Sequence, residues 1–207
     1  MIFEDREQAA RALAARLAAY RGRNPLVLAI PRGAVPMAKI ISRALEGDLD
    51  VVLVRKLRAP GNPEFAIGSV DETGWTYLAD YARQAGGSRE YIDSEKAAQM
   101  EVMRERRASY TPIRPALNPA GRTVIVVDDG LATGSTMIAA LHALRAKHPK
   151  KLICAVPVAP RDTLKKVSLY ADEVVCLEAP EVFYAVGQFY RSFDQVSDEE
   201  VIAELRQ

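Results

Sequence analysis

The chain has 207 residues, 49% of them hydrophobic, enough for one sizeable core or a core with a small appended subdomain. Lys and Arg total 28 against 27 Asp and Glu, a formal net charge of +1 with no long single-sign run, which argues against nucleic acid as the main partner. The acidic start MIFEDREQ lacks the basic-then-apolar layout of a secretion signal, and no apolar run nears the roughly 18 residues of a membrane span, so a cytoplasmic protein with no membrane partner is expected.

Residues 5–20, DREQAARALAARLAAY, place Ala and Leu at helical spacing, with Asp5 as N-cap. Pro25 introduces the strand LVLAI (26–30), PRGAVP turns the chain, and MAKIISRAL (37–45) makes a second helix. DVVLVRKL (50–57) is short, β-branched and apolar on both sides, the pattern of a strand buried on both faces. APGNPE is turn chemistry, and FAIGSV and WTYL flank Asp71-Glu72-Thr73-Gly74, which predicts a hairpin. Between Ser88 and Tyr110 the apolar positions Ile92, Met100 and Met103 are sparse, which predicts an exposed helix. The strand TVIVV (123–127), a helix over 136–146, the strand KLICAVPV (151–158), a helix over 161–171 and the strand EVVCL (173–177) complete the alternation. An aromatic tail follows, ending in a helix for which Ser197 and Glu200 form a capping box. Strands separated by helices predict an α/β fold with an open, mainly parallel sheet and helices on both faces. Cys154 and Cys176, inside apolar runs, are expected as reduced core residues; His142 and His148 have no partner at ligand spacing.

The stretch VIVVDDGLATGSTM (124–137) carries the chemistry. In an open parallel sheet, ligands sit at the carboxyl ends of the strands, where Asp128 and Asp129 fall. Thr133, Gly134, Ser135 and Thr136 open the next helix, whose free N–H groups and positive dipole end attract an anion, and neutral Ala132 keeps negative charge out of that cradle. Adjacent carboxylates repel a phosphate but accept from a vicinal diol and suit hydrated Mg²⁺. The ligand indicated is a sugar phosphate with free hydroxyls.

These residues resemble the phosphoribosyl-diphosphate (PRPP) motif of type I phosphoribosyltransferases, in which an apolar strand leads to two acidic residues and a Thr/Gly/Ser loop. The resemblance spans residues 26 to about 178 and is greatest to predicted bacterial members whose acceptor is unassigned. It implies a single domain: a core at 26–178, a lid or hairpin insertion at 58–122 and a small C-terminal aromatic hood at 179–207, joined by 1–25. It also implies that Asp128 and Asp129 hold the ribose hydroxyls and, through water, Mg²⁺, while Ala132 to Thr136 wrap the 5-phosphate. Pro31, Arg32 and Gly33 correspond to the diphosphate loop, where the family often holds a non-proline cis peptide, expected here between Pro31 and Arg32. Val54-Arg55-Lys56 resembles the strand end with which orotate phosphoribosyltransferases bind diphosphate. Arg32 and Lys56 would then stabilise the leaving group, and Tyr184 is the position for stacking on an acceptor.

The implied activity is Mg²⁺-dependent transfer of the 5-phosphoribosyl group from PRPP to a nitrogen acceptor, a nucleobase in most of the family, by a homodimer. Hypoxanthine- and guanine-type enzymes carry Asp where this chain has Ala132, whereas adenine-type enzymes have Ala. Glu95, Glu101 and Glu105 lie in the lid segment where a base could reside, although a solvated helix face accounts for each. The alternative is a non-catalytic PRPP sensor. A dinucleotide-binding oxidoreductase would need Gly-x-Gly-x-x-Gly after the first strand, and PRGAVPMA lacks that spacing.

Overall fold

The computed structural model describes residues 2–206; Met1 and Gln207, the ends of the expected domain, and the Glu64 side chain lie outside the described residues. The chain runs α1 (Arg6–Arg16), β1 (Leu26–Ala29), α2 (Ala34–Ala44), β2 (Asp48–Val51), β3 (Val54–Ala59), β4 (Asn62–Asp71) and β5 (Thr76–Leu78). It continues through α3 (Arg89–Tyr110), β6 (Thr123–Val127), α4 (Ser135–Arg145), β7 (Lys151–Val158), α5 (Arg161–Val167), β8 (Glu173–Glu178) and α6 (Asp198–Leu205).

Five strands form one parallel sheet in the order β2-β1-β6-β7-β8. Alternate side chains of its strands feed two separate cores. Val27, Ile125 and Ile153 pack with Leu13 of α1 and Ile41 of α2, while Leu28, Val126 and Cys154 pack with Ile138 and Leu141 of α4 and Val167 of α5. Both faces are covered, which is why the strands read as continuous apolar runs. Asp5 caps α1 by accepting from the N–H of Gln8 at 2.8 Å, and Ser197 and Glu200 make the reciprocal capping box of α6. Cys154 and Cys176 are free thiols.

The expected strand at 50–57 is two strands. β2 stops at Val51, and Val54–Ala59 turns into a separate antiparallel sheet, β3-β4-β5. The reason lies in VRKLRA, where Val54, Leu57 and Ala59 are buried while Lys56 and Arg58 are exposed. Such cations cannot enter a sheet covered on both faces, but they suit a strand with one wet side. The hairpin expected around Asp71–Gly74 is the β4–β5 connection of this second sheet.

The exposed helix expected at 88–110 is also revised. α3 is amphipathic, with Glu95, Gln99, Met103 and Tyr110 buried, and it packs on β3. Two members of that stripe are polar and are buried because they are hydrogen-bonded, so a reading by apolar spacing does not register them. At the other end of the chain, the tail folds back on the N-terminus. Phe3 N–H donates to Phe189 O at 2.7 Å, and Phe3 packs on Tyr190 with ring centres 5.6 Å apart.

The second sheet is fastened to the first layer by Ser69 of β4, a fully buried residue whose hydroxyl donates at 2.6 Å to the carbonyl of Ser135, the first residue of α4. Ser69→Ala removes the donor, and urea denaturation should show a loss of about 1–2 kcal/mol with an unchanged slope.

Candidate functional site

A cleft of about 570 Å³ opens at the carboxyl ends of β1 and β6, beneath the second sheet and the tail. Its floor is built by three turns. After β1 the chain passes through Pro31, Arg32 and Gly33, with a cis peptide between Pro31 and Arg32, at the position expected from the sequence. After β6 come Asp128 and Asp129. The loop of Ala132, Thr133 and Gly134 then leads into α4.

The start of α4 is bare. Gly134 is its N-cap, in the left-handed region at φ 77°, and offers no capping side chain. Nothing larger fits there, because a Cβ would stand 2.8 Å from Thr163 Cγ2. Thr163 in turn holds the loop, donating to Ala132 O at 2.6 Å. The hydroxyls of Thr133 and Ser135 lie 3.2 Å apart, and the Ser135 N–H meets Thr133 Oγ1 only at 3.4 Å. Backbone donors and two hydroxyls therefore remain available to an anion.

The carboxylates are held differently from each other. Asp128 Oδ1 accepts from the Asp129 N–H at 2.9 Å. Asp129 Oδ2 accepts from Arg6 Nε at 3.0 Å and pairs with Arg6 Nη2 at 2.9 Å. Arg6 also donates to Asp194 O at 2.7 Å, and its guanidinium sits 4.0 Å over the Phe193 ring. The Tyr190 hydroxyl donates to Asp129 O at 2.6 Å, and burial pushes that phenol's pKa up. Gly33 is required here as well, since a Cβ would fall 2.3 Å from Asp129 Oδ2. Burial, then the neighbouring Asp129 charge, holds the Asp128 carboxyl well above the usual range. Burial raises Asp129 too, against the opposing effect of Arg6.

The facing wall is cationic, lined by Arg32, Arg55, Lys56, Arg58 and Arg106. Asp128, Asp129, Ala132 to Thr136, Pro31 to Gly33 and Lys56 thus line one cleft, although they come from four separate turns and strands. Tyr184 does not line it. The Gln188 carboxamide accepts the N–H groups of Tyr184 and Ala185, Phe183 packs on Phe189, and Tyr184 is left 86% exposed. Val186 and Phe193 occupy the hood side instead. Glu101 and Glu105 are exposed and lie outside the lining, and Glu95 is committed to Arg58 at 2.8 Å. His142 stacks on Trp75, away from the cleft. Sequence reasoning missed Arg6, Arg58 and Arg106 as cleft residues. Arg6 reaches Asp129 across 123 positions, and no local pattern announces such a pairing.

Residues 2–194 match the sequence family described as phosphoribosyl transferase domain. The chain belongs to that family. It is 42% identical over 205 residues to a Mycobacterium tuberculosis protein provisionally named a phosphoribosyl transferase, covering 99% of this chain. The chain spans 46% of that relative's length. Among solved structures it is similar to TT1426 of Thermus thermophilus, at 44% identity and TM-score 0.82, covering 100% of this chain and 98% of that one. A Staphylococcus aureus hypoxanthine phosphoribosyltransferase shares the fold, with TM-score 0.51 at 14% identity over 87% of this chain and 77% of its own.

The raised Asp128 carboxyl has a consequence for the phosphoribosyl transferase domain without ligand. A carboxyl whose folded pKa lies above its unfolded value binds more protons folded than unfolded, so its ionisation destabilises the fold as pH rises through that window. Asp128→Asn keeps an oxygen for the Asp129 N–H and removes the charge. Its melting temperature should exceed that of the parent at pH 7, and the gain should vanish as pH falls to about 4, near the carboxyl's unfolded pKa.

Proposed function

We propose that the cleft binds PRPP and transfers its 5-phosphoribosyl group to a nitrogen acceptor, most simply a nucleobase, with release of diphosphate. The observation that carries this reading is the division of charge: an uncapped helix start beside two crowded carboxylates, opposite a wall of cations. A phosphate monoester, a diol and a diphosphate are the three groups this pattern complements, and PRPP carries them in that order.

Thr133, Ser135, Thr136 and the first N–H groups of α4 would hold the 5-phosphate and so anchor the sugar by a group remote from the reaction. Asp128 and Asp129 would accept from the ribose hydroxyls. Two adjacent hard oxygen donors suit Mg²⁺, which is bound through one or two carboxylates, waters and substrate phosphates. Among the described residues no cluster of three or more His, Cys, Asp and Glu side chains exists, so an ion bound here needs water and ligand oxygens to complete its shell. When bound, Mg²⁺ would offset diphosphate charge. Arg32 and Lys56 would receive the negative charge that develops on the diphosphate as the anomeric bond breaks, ahead of nitrogen attack through an oxocarbenium-like state. Pro31 and Gly33 line the cleft beside them.

The loop presents Ala132 where a purine-directed carboxylate would stand, so no group there can take a proton from a 6-oxopurine. Hypoxanthine and guanine should therefore be poor acceptors. The test measures diphosphate release from PRPP and Mg²⁺ with purine, pyrimidine and amine acceptors, together with calorimetric PRPP binding. Asp128→Asn combined with Asp129→Asn should weaken PRPP binding at least about tenfold while preserving the fold. Unchanged affinity would refute the ribose assignment. PRPP binding without release for any acceptor would favour the sensor, and hypoxanthine or guanine turnover far above the other bases would refute the reading of Ala132.

A further inference from the structure

The cationic wall contains more positive charge than the protein balances. Arg32 and Arg106 share Asp198, at 3.6 and 3.7 Å, both longer than a good hydrogen bond. Arg58 is bonded to Glu95 at 2.8 Å. Among the described residues no carboxylate pairs with the Arg55 guanidinium; its Nε donates at 2.9 Å to the neutral carboxamide of Gln99.

That carboxamide is itself fixed. Gln99 is buried and donates from Nε2 at 3.0 Å to Glu95 Oε1, one helical turn earlier. The same oxygen accepts from the Arg58 Nε and from the Arg58 main-chain N–H. Burial opposes it, yet the bonds from Arg58 and Gln99 hold the Glu95 carboxyl below its usual range, which keeps it ionised. A continuous chain, Arg58 to Glu95 to Gln99 to Arg55, thus joins α3 to β3.

The chemistry of the third link matters. A carboxylate at position 99 would fix Arg55 and cancel its charge, whereas an amide oxygen fixes the guanidinium and leaves its charge for a ligand. Burial, then repulsion from Arg106, Arg58 and Arg32, holds the Arg55 pKa below its ordinary value, against the opposing effect of Glu95. Such crowding costs stability in the free protein and is relieved by a polyanion.

We infer that Gln99, backed by Glu95, is a positioning residue that holds the Arg55 guanidinium, unpaired with any carboxylate among the described residues, in the cleft wall where the PRPP reading places diphosphate. The inference deepens the PRPP reading and rests on it. Arg55 is the group that touches the ligand, and Gln99 acts only through Arg55.

That last condition makes a double-mutant cycle decisive. Binding of inorganic diphosphate with Mg²⁺ is measured by calorimetry on the full chain, on Arg55→Gln, on Gln99→Met and on the double variant, with thermal melts confirming the fold. Arg55→Gln should weaken diphosphate binding by about tenfold, Gln99→Met by about threefold, and the double variant should match Arg55→Gln to within about twofold. Gln99→Asn, which withdraws the amide by one methylene, replaces Gln99→Met in the cycle if the latter does not fold. Unchanged affinity in the position-99 variant, or losses that add in the double variant, would overturn the positioning role while leaving PRPP binding by the parent intact. A parent protein that binds neither PRPP nor diphosphate would instead overturn the underlying reading.

Discussion

Two carboxylates on consecutive residues at the end of a buried strand repel each other, and the surrounding residues are arranged about that repulsion. Arg6 comes from the first helix to neutralise Asp129, Tyr190 comes from the tail to bond its carbonyl, and Gly33 comes from the β1 turn without a side chain so that the carboxylate fits. Asp128 is left with one main-chain N–H and a raised carboxyl. Each partner belongs to a different part of the chain. The Phe3 to Tyr190 contact, which closes the N-terminus on the tail, therefore also holds Arg6 and Tyr190 at the acidic pair.

The contrast with the other edge of the sheet identifies the working end. At the amino ends of the strands three close ion pairs form: Arg145 bonds Asp172 with both terminal nitrogens, Lys151 bonds Glu173 and Arg122 bonds Asp48. At the carboxyl ends, cations and carboxylates line the same cleft yet are mostly held apart, Arg6 with Asp129 being the close pair across it. Unmatched, partly buried charge is costly, and its concentration in one cleft is the mark of a ligand site.

Much of this was legible in the sequence. The five parallel strands show as apolar runs because both faces of that sheet are covered, and the loop at 132–136 shows because its Gly, Thr and Ser are contiguous. What stayed hidden depends on contacts between distant residues. DVVLVRKL looked like one strand because its apolar positions continue across the break; the alternation in VRKLRA was the available signal that it leaves the sheet. The buried stripe of α3 was unreadable by hydrophobic spacing because Glu95 and Gln99 are buried through hydrogen bonds to residues about 40 positions away. Tyr184 illustrates the opposite failure. An aromatic in a tail is a plausible stacking platform by type, but the Gln188 carboxamide sets the local turn and turns its ring to solvent.

The second sheet does more than cover the cleft. β3 supplies Lys56 and Arg55 to the cationic wall, β4 reaches α4 through Ser69 and Ser135, and α3 fixes Arg55 through Gln99. The loop at 132–136 and the cationic wall are consequently parts of one hydrogen-bonded framework. On the PRPP reading proposed above, a ligand that bridges them would meet the acidic pair between two anchors whose spacing the scaffold sets. The protein retains electrostatic repulsion at both walls, which the alternation of phosphate, hydroxyl and diphosphate in the proposed ligand would relieve. The fold carries that repulsion because two apolar cores, one on each face of the sheet, supply the packing, and the cleft meets them at Ile30, Val54 and Leu131.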